Sequence, residues 1–292
     1  MNPARSSTRP TGTPATPRPA APPRDGSVPF QATVVESEFT AFCEGVRALC
    51  GVDLLQYKRG QMERRIRTWV ERRDTTDLKS YLLRLRGEPA ELDAFLDRVT
   101  INVSHLWRHG EQWTALTDHV LAELAKRGRI RAWSAGCSYG AEAFTLAAVA
   151  RDAVPQARVE IRGTDLDRRM VDRARRAEFS KDDMRVAPPA VVARHFEPLP
   201  DGGARASHDL RRMTRFDVGD LLRMRVAPAS FELVMCRNTV IYFTEEVRDA
   251  LHRRLVDALV PGGYLVVGAS ERVADPRALG LTSPFPFIYR KA

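Results

Sequence analysis

The 292-residue sequence contains few cysteines and no long apolar run. Its four cysteines, Cys43, Cys50, Cys137 and Cys236, form no C-x-x-C pair and have no histidine at metal-ligand spacing, so neither a zinc site nor a disulfide framework is predicted. No stretch approaches the ~20 apolar residues that a membrane-spanning helix requires. The N-terminus lacks the apolar core of a secretory signal. We therefore expect a cytoplasmic protein without membrane insertion or a bound metal.

Acidic residues are outnumbered by basic ones, 37 to 46, which gives a net charge of +9. This excess favours polyanions or acidic protein surfaces as partners, without choosing between them. The hydrophobic fraction of 43% and the charged fraction of 28% are ordinary for a globular protein. The length suits two small domains, or one domain with an extension.

Large apolar side chains are nearly absent from residues 1–33, which contain eight prolines, four arginines and one acidic residue. Such a segment buries too little apolar surface to offset the entropy of ordering. It is predicted to be a disordered basic tail. A solvated leader is favoured over a nucleic-acid-binding arm because its charges are sparse.

Helical periodicity predicts a small helical domain over residues 34–126. Apolar residues recur there every three or four positions. They are Phe39, Phe42, Val46 and Leu49, then Met62, Ile66, Trp69 and Val70, then Leu78, Leu82 and Leu85, then Leu92, Phe95, Leu96 and Val99, and finally Trp113, Leu116, Val120 and Leu124.

Strands and helices alternate over residues 127–292. The predicted strands are 130–134, 159–163, 231–236 and 264–268, the last preceded by a Pro-Gly-Gly turn, and the predicted helices are 142–153 and 168–177. This alternation indicates an α/β domain with a doubly wound parallel sheet. Residues 180–218 interrupt it with a Pro-Pro pair, a short helix and two polar strands. They are predicted to form a small inserted subdomain.

A small-residue turn and a carboxylate follow the first two strands. The turn Ser134–Gly140 lets a ligand approach the backbone at a helix N-terminus. Asp165 stands where a carboxylate accepts the ribose hydroxyls of a nucleoside. A structural turn and an N-cap are the alternatives, although Asp167 suits the cap better. These features indicate a site for a nucleoside that carries no phosphate, and S-adenosylmethionine is such a ligand.

Four distinctive segments follow one another along the chain. They are TINVSHLWR at 100–108, WSAGCSYG at 133–140 with Glu142, GTDLD at 163–167, and CRNTVIYF at 236–243. In these segments and in their order, the chain resembles the chemotaxis receptor methyltransferase (CheR) family from Glu38 to the end. The resemblance implies a helical N-terminal domain and a methyltransferase domain with an inserted antiparallel β-subdomain. It also implies methyl esterification of glutamates on the cytoplasmic helical bundle of bacterial chemoreceptors, with S-adenosylmethionine as donor and S-adenosylhomocysteine as product.

Site residues carry over from this resemblance by position. Arg108 and Tyr242 match the family's residues near the transferred methyl group. Glu142 matches the ligand of the methionine amino group, and Asp165 that of the ribose. The remaining cofactor-binding positions are Asn102, Ser104, Arg108, Gly136, Asp220, Leu221, Arg237 and Asn238. The chain departs from the family at Ser104, where threonine is common, and at Ala141, which replaces a glutamate.

Seven basic residues between Lys58 and Arg73 face only two acidic ones. With the apolar stripe turned inward, this charge is expected to lie outward, either as a solvated face or as a docking face for glutamate-rich receptor helices. Arg59, Arg64, Arg65 and Arg67 are the docking candidates. The compact stretch 196–216 predicts an enzyme that does not tether to a receptor C-terminal peptide.

Two other functions remain open from the sequence. A nucleic-acid methyltransferase would use the basic helical domain as its grip, although the segment after Cys236 lacks the Pro-Pro-aromatic motif of enzymes that methylate base amines. A cofactor-binding scaffold without turnover is the third. The presence of Arg108, Asp165 and Tyr242 argues against it.

Overall fold

The protein is represented by a computed structural model that describes residues 30–99 and 104–292, with side chains from residue 37 onward. Asn102 and most of the predicted tail lie outside the described residues. The first helix, α1, spans Phe30–Cys50. It therefore begins inside the range that was assigned to the tail.

Three further helices complete the helical core with α1. They are α2 (Arg59–Glu71), α3 (Leu78–Gly87) and α4 (Pro89–Val99), and a 3-10 turn at Leu54–Gln56 precedes α2. Phe42, Tyr81 and Phe95 pack together at its centre, with ring centroids 5.8 to 6.4 Å apart. The periodicity places Phe42 and Phe95 on the inner faces, whereas the buried Tyr81 was not among the predicted apolar positions.

A helical connection leads from the 104–108 segment to the sheet. It consists of α5 (Gly110–Ala115), a π-helical stretch (Leu116–Leu121) and α6 (Ala122–Ala125). Trp113, Leu116, Val120 and Leu124 are all buried, as the sequence predicts.

The described residues form a seven-stranded mixed sheet with the order β6-β2-β1-β7-β8-β10-β9. The first five strands are parallel, and β10 runs antiparallel to both of its neighbours, β8 and β9. The strands are β1 (Arg129–Ala135), β2 (Arg158–Asp165), β6 (Thr214–Val218), β7 (Phe231–Cys236), β8 (Leu259–Val267), β9 (Leu281–Phe285) and β10 (Ile288–Lys291). The helices of this domain are α7 (Ala141–Ala153), α8 (Arg168–Arg176), α10 (His208–Met213) and α11 (Glu245–Ala258), with 3-10 turns at Val240–Tyr242 and Arg277–Leu279.

The inserted subdomain is smaller than the predicted range 180–218. Its three antiparallel strands, β3 (Glu178–Phe179), β4 (Phe196–Pro198) and β5 (Ala204–Ala206), are arranged in the order β3-β5-β4, with α9 (Pro189–His195) between β3 and β4. The stretch 214–218 instead pairs with β2 as the edge of the main sheet. Burial of Thr214 and Phe216 explains this placement.

The last parallel strand begins earlier than predicted, at Leu259 instead of Tyr264. The Pro261-Gly262-Gly263 sequence lies within β8 and shifts its register against β7. Gly262 has a φ of +72°, which side-chain-bearing residues rarely adopt. The sequence signal for a turn therefore corresponds to a bulge. Among the described residues, no helix has the length and apolarity needed to cross a membrane.

Candidate active site

A cleft opens at the carboxyl ends of β1, β2 and β7, where the strand order reverses. Ligands of doubly wound sheets bind at this edge. Every described residue that was predicted to be catalytic or cofactor-binding lines this cleft, whereas the four docking candidates of α2 do not. The predicted residues that line it are Ser104, Arg108, Gly136, Glu142, Asp165, Asp220, Leu221, Arg237, Asn238 and Tyr242.

Gly136 brings the turn after β1 against the loop after β7. Its φ is +79°, and a Cβ there would lie 2.5 Å from Thr239 Oγ1. A side chain at this position would push the two loops apart. The glycine is therefore required by both its conformation and this close approach.

Asp165 is held by backbone donors at the end of β2. Its Oδ2 accepts from the N–H of Ser138 at 2.7 Å and its Oδ1 from the N–H of Asp167 at 3.0 Å. Burial raises the pKa of Asp165, and these N–H groups oppose the shift. Asp167, not Asp165, caps α8 by accepting from the N–H groups of Arg169 and Met170. Each Asp165 oxygen therefore keeps a lone pair for a ligand hydroxyl.

Glu142, at the start of α7, is a largely buried carboxylate whose side chain is 11% exposed. Ser134 Oγ donates to its Oε1 at 2.7 Å, and Arg237 Nη1 lies 3.4 Å from its Oε2. Burial raises the pKa of Glu142, and the Arg237 charge acts in the opposite direction. A single guanidinium leaves part of this carboxylate free for a cationic ligand.

Arg237 donates to protein groups on three sides. Its guanidinium reaches Gln112 Oε1 at 2.9 Å and the Arg108 carbonyl at 2.6 Å, in addition to Glu142. The guanidinium also lies 5.0 Å from the centre of the Trp113 ring. Burial lowers the pKa of Arg237, against the effect of Glu142. Arg237 thus joins the segment carrying Arg108 to the sheet.

The other residues predicted to bind the cofactor differ in how they are held. Asp220 Oδ1 accepts from the N–H of Leu222 at 2.8 Å, and Leu221 is buried. The Ser104 carbonyl accepts from the Tyr139 hydroxyl. Asn238 has a left-handed backbone conformation, with φ +57°.

Comparison with known proteins identifies the family. The family model for the CheR methyltransferase SAM binding domain matches residues 102–283. That for the CheR methyltransferase all-alpha domain matches residues 37–100. The chain belongs to the CheR methyltransferase family. The resemblance carried by the four sequence segments is confirmed.

Relatives in this family match over most of their length. The chemotaxis protein methyltransferase of Listeria monocytogenes is 32% identical over 260 residues, 88% of this chain and 98% of that protein. The protein of that name numbered 1 in Vibrio cholerae is 29% identical over 88% of this chain and 94% of its own. That of Salmonella typhimurium is 26% identical over 82% and 85%.

The cleft of this CheR methyltransferase fits an S-adenosylmethionine-type ligand. Asp165 offers acceptors for two hydroxyls, Glu142 offers a largely buried carboxylate for an amino group, and Gly136 leaves the backbone open. Within residues 37–99 and 104–292, whose side chains the structure describes, no group of three or more His, Cys, Asp or Glu side chains could hold a metal ion. The individual ligand roles remain predictions.

Arg108 and Tyr242 line the mouth of the cleft, and Arg65 flanks it beside Tyr242. The Arg65 guanidinium lies 6.0 Å from the Tyr242 ring centre, and its Nη1 donates to the Val99 carbonyl at 3.0 Å. Burial raises the pKa of Tyr242, while the charges of Arg65 and Arg108 oppose that shift. The prediction that Arg65 faces outward was wrong. It borders Ile66 on the helix, at the edge of the buried stripe, and turns toward the cleft.

The other arginines of α2 differ in exposure. Arg59 and Arg64 are exposed and Arg67 is half-buried. Arg59 and Arg67 both pair with Glu63. Part of the positive charge is therefore neutralised within the helix.

Sequence reasoning missed the contribution of the turn before α2. Tyr57 and Asp53 line the cleft, and burial raises the pKa of Tyr57. Lys58 N–H donates to the Tyr242 carbonyl at 2.8 Å, and Thr244 N–H donates to the Gln56 carbonyl at 3.1 Å. The signal in the sequence was weak, because Tyr57 simply follows the short turn Leu54–Gln56.

Proposed function

We propose that this CheR methyltransferase transfers the methyl group of S-adenosylmethionine to glutamate side chains on the cytoplasmic helical bundle of bacterial chemoreceptors. The product is the glutamate methyl ester. The reaction takes place in the cytoplasm, near the membrane that holds the receptor. Family membership and the names of the relatives support this assignment.

The observation that carries the proposal is the pair of arginines beside Tyr242. The Arg65 guanidinium lies 6.0 Å from the centre of the Tyr242 ring, and Arg108 lines the same cleft as Tyr242. Arg98 adds a third charge near Arg65. A forked guanidinium matches the geometry of a carboxylate. This mouth therefore favours an anionic acceptor.

A carboxylate acceptor needs no general base. A glutamate side chain, with an ordinary pKa near ~4.3, is already ionised at neutral pH. Bound S-adenosylmethionine would supply an activated methyl group on a positively charged sulfur. Transfer forms a carbon–oxygen bond, breaks the methyl–sulfur bond with its electron pair left on sulfur, and releases no proton.

The residues of this chain would act by placement. Asp165 would hold the ribose, Glu142 the amino group, and Asp220 and Leu221 the adenine region. Arg108 would hold the incoming carboxylate, while the Tyr242 hydroxyl fixes its approach. Placing reactants in this way can supply roughly 7–11 kcal/mol of a barrier.

Receptor recognition is assigned to the docking face formed by Arg59, Arg64 and Arg67. Arg64 is exposed and forms no ion pair with an acidic side chain in the described part of the chain, whereas Arg59 and Arg67 share Glu63. Glutamate-rich receptor helices would be attracted by this charge. The attraction is screened over about 8–10 Å at physiological ionic strength, so methylation should fall as salt rises.

Tethering to a receptor C-terminal peptide is not part of the proposal. Strand addition needs an edge long enough for successive backbone hydrogen bonds. The edge strands of the small sheet, β3 and β4, contain two and three residues. This shortness supports a non-tethering enzyme. The nucleic-acid and scaffold alternatives are not favoured, because family membership points to chemotaxis methyltransferases.

The test is transfer of tritiated methyl from S-adenosylmethionine to membranes bearing chemoreceptors. Label released as methanol by alkali identifies a carboxyl ester. Base-stable label, or label on nucleic acid, would overturn the proposal.

The docking face has its own control. Arg64→Glu should reduce receptor methylation at low salt, whereas Arg253→Glu, at an exposed arginine of α11, should not. Equal effects, salt-insensitive methylation, or tight binding of the isolated C-terminal peptide would contradict this mode of recognition.

A further inference from the structure

The loop that follows β7 needs a support outside its own strand and helix. It carries Asn238 and Tyr242 into the cleft. Asn238 adopts a left-handed conformation, and a 3-10 turn follows at Val240–Tyr242. Backbone N–H groups in such a loop have no regular partners, so another group must accept from them.

Glu271 is that acceptor. It follows β8, the neighbouring strand, and is only 3% exposed. Its Oε2 accepts from the N–H groups of Asn238 at 2.7 Å and Gly268 at 2.6 Å, and its Oε1 accepts from the N–H of Val240 at 3.1 Å. A single side chain thus fixes the loop at two positions and anchors it to the end of β8.

The Glu271 charge is balanced by backbone donors. Burial raises its pKa, and the strongest opposing effects come from the N–H groups of the loop and of Gly268. A carboxylate has acceptor sites on both oxygens, whereas an amide presents an NH₂ group in place of one of them. In the glutamine variant, the side-chain NH₂ group would therefore face a backbone N–H group, and two donors cannot form a hydrogen bond with each other.

Gly268 shows how closely these groups are packed. A Cβ at this position would lie 2.6 Å from Glu271 Oε2 and 2.8 Å from the backbone nitrogen of Asn238. Alanine at 268 would therefore disturb the same hydrogen bonds while leaving the carboxylate in place. This residue provides a second, independent way to perturb the loop.

We propose that Glu271 is a positioning residue for methyl transfer, whose carboxylate holds the 238–242 loop so that Asn238 and Tyr242 meet the two substrates in register. Glu271 itself is not among the residues that line the cleft. It acts through the loop. The activity readout rests on the proposed function, so the experiment includes measurements that do not require the receptor.

Glu232 provides a matched control. It is also a buried glutamate, and it accepts from a backbone N–H, that of Arg131, at 2.7 Å. It lies on β7 near the amino ends of the strands, away from the cleft. Glu232→Gln therefore tests what loss of a buried carboxylate does to the sheet in general.

The experiment compares Glu271→Gln, Gly268→Ala and Glu232→Gln with the wild type, well below their melting temperatures. Misplacement by about 1 Å can cost ~100-fold in rate. We expect Glu271→Gln and Gly268→Ala to lower kcat at least about tenfold, and affinity for S-adenosylhomocysteine by much less, because Asp165 and Glu142 lie on other loops. Hydrogen exchange of residues 237–242 should accelerate in both. Glu232→Gln should leave kcat and this exchange nearly unchanged.

Unchanged kcat in folded Glu271→Gln, or a loss no larger than in Glu232→Gln, would overturn the proposal. If Glu271→Gln fails to fold, Gly268→Ala decides by the same criteria. If the wild type does not methylate receptors, the proposed function fails, and exchange of the 237–242 loop still decides whether Glu271 holds it.

Discussion

The two walls of the cleft are built in different ways. On the sheet side, loops are fixed by backbone N–H groups that donate to buried carboxylates, as at Asp165. On the helical side, Arg65 reaches the mouth with a long side chain that contacts the Val99 carbonyl and the Tyr242 ring. The first arrangement suits one ligand of fixed shape. The second suits a carboxylate on a variable protein surface. We infer that the sheet-side wall binds the cofactor and that the helical-side wall, together with Arg108, binds the receptor glutamate. These two surfaces are the cofactor wall and the substrate wall.

Removal of the Arg108 guanidinium from the substrate wall should cause the largest loss of methyl transfer. Because each charged hydrogen bond contributes roughly 1.5–3 kcal/mol, Arg108→Ala should lower methyl transfer by at least about 100-fold. Its affinity for S-adenosylhomocysteine, measured by calorimetry, should stay within about threefold of wild type. Arg253→Ala, at the exposed arginine of α11 away from the cleft, is the control. Substantial residual turnover in Arg108→Ala would remove this role.

Asp165→Ala should break the cofactor wall. Loss of an acceptor for ribose hydroxyls should cost roughly 1.5–3 kcal/mol, or about 10- to 150-fold in affinity for S-adenosylhomocysteine. Asp167→Ala is the matched control on the same loop. It should lower the free energy of unfolding by about 1 kcal/mol through loss of the α8 cap, without weakening binding. The reverse pattern in calorimetry and denaturation would reassign the two carboxylates.

Acid should weaken the cofactor wall through Glu142. Burial raises the pKa of Glu142. In the free enzyme, its carboxylate therefore takes up a proton at a higher pH than an ordinary glutamate, whose pKa is near ~4.3. A ligand amino group binds the ionised form, so affinity should decline as pH falls through that range, by about tenfold. Glu142→Gln should bind weakly and lack this part of the pH dependence. Parallel pH profiles of wild type and variant would contradict the role.

Arg65 and Arg64 sharpen the comparison within α2. Contact of a guanidinium with an aromatic ring contributes about 0.5–2 kcal/mol, so Arg65→Ala should lower kcat several-fold at both low and high salt. Arg64→Ala should act only at low salt, because an exposed charge is screened. Methylation rates over a salt series make the measurement. Identical salt dependence would show that both arginines only attract the receptor.

Periodicity and motif order predicted most of the fold and of the cofactor wall. Strand-end residues such as Gly136 and Asp165 could be predicted because the residues next to them in the sequence specify where each strand ends and the turn begins. Arg65 was misplaced because a helical wheel does not show which neighbouring domain covers its edge. Tyr57 and Glu271 were missed because their contacts join segments far apart in the chain. The predicted limits of the inserted subdomain were wrong because the sequence pattern of strand 214–218 is compatible with either the small sheet or the main sheet.

The most direct test of separate walls is a double-mutant cycle between Asp165→Asn and Arg65→Ala. The quantity is kcat/KM for S-adenosylmethionine at fixed receptor concentration. Independent walls predict that the two losses in free energy add within about 0.5 kcal/mol. A coupling energy above about 1 kcal/mol would show that cofactor and receptor residues act as one unit, and would contradict the account.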